Sequence, residues 1–175
     1  PDLIQAEEEA MTAARIASMS VGWVAAAVAL AAPPGWALPA ETWVVSIGHN
    51  NGAATEVSLL YAGRDALEVA EALRLHARVS SQRTRLVLGE TTEDVRRAIE
   101  RVNTEIRGLG QGERATALVV FYSGHADATA LHLGDTELEL DELKALVEGS
   151  PAAFRVLVVD ACRSGTLTRV KGVKP

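Results

Sequence analysis

Two side chains in this sequence are suited to nucleophilic chemistry, the lone cysteine Cys162 and His125, and each closely follows a short apolar run. Val156-Leu157-Val158-Val159 leads through Asp160 to Cys162, and Ala117-Leu118-Val119-Val120-Phe121-Tyr122 leads through Ser123-Gly124 to His125. Runs this short and this rich in β-branched and aromatic residues read as buried parallel strands rather than helices. In an open α/β sheet, ligands and chemistry gather at the carboxyl ends of strands. If the two strands are neighbours, thiol and imidazole face one crevice. The thiolate would attack a carbonyl, and the imidazole would pass a proton to the departing amine. The plain alternative is a small apolar cysteine packed at a strand end.

Two carboxylates belong to the same constellation. Asp160 stands two residues before Cys162, so strand alternation returns both side chains to one face. Asp65, in Gly63-Arg64-Asp65-Ala66, falls at the start of a helix, where a carboxylate also suits the helix dipole as a cap-like residue. Backbone N–H groups of Cys162 and of Ala126, just after His125, are the natural donors to an oxyanion. Arg163 either lowers the thiol pKa as a nearby cation or points to solvent. His49 reads as a solvated loop residue, and His76 and His132 as structural or exposed.

Together, Tyr122-Ser123-Gly124-His125 and Asp160-Ala161-Cys162-Arg163-Ser164-Gly165 resemble the caspase-like cysteine peptidases, on the bacterial metacaspase (orthocaspase) side. The resemblance runs roughly from Trp43 to Pro175. It implies His125 and Cys162 as a catalytic dyad. It also implies Asp65 and Asp160 as an acidic pocket for the residue before the scissile bond. Such a pocket would select Arg or Lys by charge pairing and reject Asp by repulsion. The animal caspase form is not met, since Asp160 stands where its glutamine would be. Glycine is usual after the histidine, and Ala126 keeps the N–H while narrowing the backbone angles. Members of the family continue with a smaller segment, so this chain would be a larger-subunit portion truncated at its C-terminal end. Calcium activation and autoprocessing come with the resemblance, although no ligand or cut site is assignable.

Composition narrows the field. The chain has 175 residues, 48% hydrophobic, with a net charge of −6, which is one domain's worth with ample core material. Its acidic balance lacks a nucleic-acid footprint. One cysteine leaves no intrachain disulfide or cysteine-rich zinc site, and no His-Glu-x-x-His pattern occurs. A phosphatase-like Cys-x5-Arg would need arginine where Thr168 stands, and no glycine-rich phosphate loop follows a strand. No metal or other cofactor is implied; the expected partner is a protein or peptide substrate, in an oligomeric state the residues do not specify.

Three segments are expected. Residues 1–10 form an upstream leader, 11–40 a signal peptide or membrane anchor, and 41–175 a partial caspase-like peptidase domain. Arg15 precedes the uncharged run Ile16 to Ala32, which Pro33-Pro34 break before small residues continue to Ala40, the layout of a secretory signal. Export to the periplasm or medium follows; retention of 16–32 as a membrane anchor is the alternative. From Trp43 the pattern predicts a strand to Gly48, a helix from Gly63 to about His76, and a strand at Thr84–Leu88. A helix capped at Thr91 or Thr92 comes next, then a Gly108–Gly112 linker and the histidine strand. A hairpin about Gly134-Asp135, a helix capped by Asp141 and broken at Ser150-Pro151, and the cysteine strand complete it. The fold class is α/β, an open and mostly parallel sheet with helices on both faces. The expected activity is a cysteine endopeptidase cleaving after Arg or Lys; the alternative is a non-catalytic caspase-like scaffold or signalling module.

Overall fold

A computed structural model of the chain describes residues 38–39, 41–109 and 115–161. The expected leader, the signal or anchor apart from Leu38 and Pro39, Cys162 and all that follows it lie outside the described residues. Much of the Gly108–Gly112 linker does too. Among the described residues, no helix is long and apolar enough to cross a membrane.

The described residues build an α/β fold on a mixed, open, six-stranded sheet with three helices. In chain order the elements are β1 (Glu41–His49), α1 (Ala62–His76), β2 (Thr84–Leu88), α2 (Thr92–Gly108), β3 (Thr116–Ala126), β4 (Ala130–Leu133), β5 (Thr136–Glu139), α3 (Leu140–Glu148) and β6 (Phe154–Asp160). A 3₁₀ turn at Ser81–Arg83 leads into β2. Strands β2, β1, β3 and β6 lie side by side and parallel. The end of β3 turns back antiparallel through β4 and then β5. β1 and β3 are buried nearly throughout, as unbroken apolar strands between two helical layers must be.

Alternation along the central strands feeds two layers. Trp43, Val45 and Ile47 of β1 and Leu118, Val120 and Tyr122 of β3 point to the side of α2 and α3, where Val95, Ile99, Val102, Leu143 and Val147 complete the main core. The other side faces α1. There Val44 and Val119 meet Leu73, and Ser46 Oγ donates to the Ala66 carbonyl at 2.7 Å. Contact between β1 and α1 is close because Gly48 lacks a side chain. A Cβ there would lie 2.6 Å from the Ala62 carbonyl oxygen and 2.7 Å from Gly63 Cα.

Helix ends follow local chemistry where a side chain serves, and tertiary contacts where none does. α2 starts in a capping box: Thr91 Oγ1 accepts from the Asp94 N–H and the Asp94 carboxylate accepts from the Thr91 N–H. α1 has no cap of its own, and Asn50 Oδ1 accepts from the Gly63 N–H at 2.8 Å instead. α3 corrects the expected Asp141 cap. It begins at Leu140, because the Leu140 N–H is already bonded to the Thr129 carbonyl at 2.7 Å, and Asp141 sits in the first turn with Lys144. α2 and α3 are tied together by the Arg96–Glu142 ion pair and by Asn103 Nδ2 donating to the Leu146 carbonyl.

The cysteine strand also departs from expectation. β6 is parallel, but it is not buried: Val156, Val158 and Val159 are each about 40% exposed and Phe154 is 57% exposed. It pairs only with β3 among the described residues, and only Leu157 and Ala161 pack against the main core. A strand covered by helix on one side and paired along one edge leaves its other apolar groups in solvent.

Candidate active site

The carboxyl ends of β1, β3 and β6 lie together. β3 passes beyond its parallel neighbours, with His49 of β1 in register with Gly124 and Asp160 of β6 in register with Ser123. His125 is therefore one residue past the parallel sheet, at the point where β3 begins to pair with β4. It is 9% exposed. Its Nε2–H donates to the Val57 carbonyl at 3.0 Å, since a carbonyl only accepts. That bond assigns the neutral ring its proton at Nε2 and leaves Nδ1 to exchange a proton.

The backbone under His125 is held by Tyr122. Its buried hydroxyl donates to the carbonyls of His125 at 2.7 Å and His132 at 3.2 Å. Burial, and then the nearby charge of Glu56, push the phenol well above its usual range, so it stays a donor. Gly124 is required there. A Cβ would lie 2.3 Å from the Tyr122 hydroxyl and 3.0 Å from the His49 carbonyl oxygen.

Asp65 and Asp160 both border Ser123. Ser123 Oγ donates to Asp65 Oδ2 at 3.4 Å, and Ser123 and Asp160 are register partners on the same face of a parallel pair. Burial, opposed by the Ser123 hydrogen bond but reinforced by the charge of Asp160, pushes the Asp65 carboxyl above the ordinary carboxylate value. Two acids thus share one small region, Asp65 half-buried and Asp160 exposed. Asp65 lies in the first turn of α1, yet its polar contact goes across to β3.

Ladder geometry also bears on Ala126. The Asp127 N–H donates to the Ala130 carbonyl, and in an antiparallel ladder this makes the adjacent Ala126–Leu131 pair the non-bonded kind. The Ala126 N–H therefore points away from β4. Cys162, the other expected donor and the expected nucleophile, lies outside the described residues.

His49 behaves differently from expectation and Glu56 was missed, whereas His132 takes the structural role expected of it. His49 is 5% exposed rather than solvated, with its Nδ1–H donating to the Asn51 carbonyl at 2.5 Å and Gly134 packed against its ring. His132 is buried, and its Nδ1–H donates to Glu56 Oε2 at 2.8 Å. Glu56 had no motif to announce it, yet its Oε1 lies 3.6 Å from His125 Nδ1. Burial works against the charge on both partners, but their mutual hydrogen bond and attraction outweigh it. Glu56 is lowered from the ordinary glutamate value and His132 raised from that of histidine. His76, at the end of α1, is exposed as expected.

Among the described residues, no group of three or more His, Cys, Asp or Glu side chains could hold a metal ion. No protein-family model matches the chain, and no curated protein does. The described arrangement suits a proton-transferring imidazole of fixed tautomer beside a cation-attracting region.

Proposed function

We propose that this chain is the dyad-bearing part of a caspase-like cysteine endopeptidase cleaving after Arg or Lys. His125 is the general acid/base and Cys162, two residues beyond Asp160 in sequence, is the nucleophile. In the first step His125 Nδ1 takes the proton of the Cys162 thiol, the thiolate attacks the scissile carbonyl, and the N–H groups of Ala126 and Cys162 stabilise the oxyanion. The C–N bond then breaks as His125 Nδ1–H protonates the departing amine, leaving a thioester that water hydrolyses with His125 as base. Asp65 and Asp160 pair with the basic side chain of the residue before the cut.

The observation that carries this reading is the placement of His125. It stands at the carboxyl end of β3 with Nε2 committed to the Val57 carbonyl, and β6, the strand that leads to Cys162, is its parallel neighbour. The gathering of Asp65 and Asp160 around Ser123 supports the basic preference. The test is cleavage of fluorogenic peptides ending in Arg, Lys or Asp by the full chain and by Cys162→Ala, with and without calcium. Cysteine-dependent cleavage after Arg or Lys is expected. Cleavage only after Asp removes the acidic pocket. Absence of cleavage, with or without calcium, favours the non-catalytic scaffold.

A further inference from the structure

Val57 holds the tautomer of His125, but little apolar contact holds Val57. Its residue is 86% exposed, in the loop between β1 and α1. Polar contacts must therefore fix where its carbonyl sits. Some are internal to the loop, such as Leu59 N–H to the Asn50 carbonyl at 2.7 Å and Ser58 Oγ to Asn51 Oδ1 at 2.7 Å. Glu56, next to Val57, carries a bond across to the sheet. One oxygen, Oε2, accepts from the Ala53 N–H at 2.7 Å and from His132 Nδ1 of β4 at 2.8 Å. The other oxygen, Oε1, faces His125 Nδ1 at 3.6 Å.

We propose that Glu56 is a positioning residue for His125, clamped through His132 so that the Val57 carbonyl stays on Nε2 and a negative charge faces Nδ1. The effect on turnover rests on the peptidase reading, whereas the clamp itself does not.

Packing makes the clamp specific. A Cβ on Gly52 would lie 2.0 Å from Glu56 Oε2 and 2.7 Å from His125 Cδ2, so carboxylate and ring close on the same point of backbone. Charge favours it too. His132 also faces Asp127 Oδ2, at 3.7 Å from its Nε2, and it is in register with Glu137 of β5. Both acids favour a protonated His132, the form that binds Glu56 best. When His125 takes up a proton, its Nδ1–H gains an anion within reach of a small shift. Such a partner stabilises the imidazolium formed during proton transfer.

The first readout is ¹⁵N NMR of the histidine rings in the full chain carrying Cys162→Ala, which needs no turnover. A slowly exchanging Nε2–H signal from His125 is expected. It should be lost in Glu56→Ala and kept in Glu56→Gln, whose amide oxygen still accepts from Ala53 and His132, with far-UV circular dichroism unchanged in both. The titration of His132 should fall towards the ordinary histidine value in Glu56→Gln. Retention of the His125 signal in Glu56→Ala would overturn the clamp, as would an unmoved His132 titration in Glu56→Gln. If Glu56→Ala does not fold, the His132 titration decides alone.

With Cys162 present, Glu56→Ala is expected to lower kcat/KM by about 10²-fold through kcat, the scale of a misplaced catalytic group. Glu56→Gln should recover much of that loss. A fall confined to KM overturns the positioning role. A parent chain that cleaves nothing refutes the peptidase reading and leaves the NMR result to decide the clamp.

Discussion

Asp65→Asn separates the stability of this fold from its proposed preference for basic residues. The folded-state pKa of Asp65 is raised, first by burial and then, after the opposing Ser123 hydrogen bond, by the charge of Asp160. An acid whose pKa is higher folded than unfolded binds protons more readily when folded, so its charge opposes folding. At neutral pH, asparagine removes that charge while its amide oxygen still accepts from Ser123. The variant should therefore unfold at higher urea than the parent at pH 7. The difference should shrink as the pH falls through the raised value and level off below the ordinary carboxylate value of 3.8. Activity should move the other way. A charge-assisted hydrogen bond contributes about 1.5–3 kcal/mol, which is roughly 10- to 150-fold in kcat/KM. That loss should appear with an Arg peptide and be nearly absent with its uncharged citrulline counterpart. Asp160 is exposed and better screened, so Asp160→Asn should cost the Arg peptide about 1 kcal/mol or less, under about sixfold. A destabilised Asp65→Asn, or an unchanged Arg-to-citrulline ratio in it, refutes the reasoning. Groups that bind or catalyse are often held at some expense to the fold, and Asp65 has that signature.

Three further perturbations test the frame around the site. Gly48→Ala places a methyl against the backbone of Ala62 and Gly63, so α1 must shift; a loss of about 1–3 kcal/mol is expected in urea unfolding, and no loss would mean the β1–α1 contact is loose. Tyr122→Phe removes one hydroxyl from the carbonyls of His125 and His132, for an expected loss of about 1–2 kcal/mol with an unchanged m value. The Glu56–His132 pair gives stability a pH window. The raised His132 contributes fully below 6.5, and the contribution is lost as pH rises through its higher folded value. The lowered Glu56 contributes fully above 4.5, and the contribution is lost as pH falls through its lower folded value. The pair's contribution should therefore be greatest between these limits, and Glu56→Gln should flatten the urea midpoint against pH on both sides; an identical curve for the variant would rule the pair out as its source.

Most of the fold was legible because it depends on short-range patterns. The β3 run could be little but a buried strand, since six consecutive apolar residues have no amphipathic face to offer a helix. α2 announced its stripe, Val95, Ala98, Ile99, Val102 and Ile106, and a cap at Thr91 or Thr92, of which Thr91 is the one used. β6 shows where the pattern ends. Val156-Leu157-Val158-Val159 reads alike whether a strand is central or at an edge, and only the tertiary structure decides how many faces are covered. The start of α3 was misplaced for a related reason, because the bond that satisfies Leu140 comes from Thr129, which no local cap rule anticipates.

The candidate site divides along the same line. The positions of His125, Asp65 and Asp160 were legible because each lies within a regular element, where alternation or the helix start fixes its direction. Glu56 lies in a loop without periodicity, and its partner His132 is 76 residues away in a short hairpin strand. Nothing in spacing joins them. A physical signal does lie in the register: His132 pairs with His125 across β3 and β4, so any anion drawn to one histidine comes near the other. The loop supplies that anion, and Gly52 leaves room for it between carboxylate and ring. Parallel strands thus deliver His125 and Asp160 to one end of the sheet, while the β1–α1 loop fixes which nitrogen of His125 is left to carry the proton.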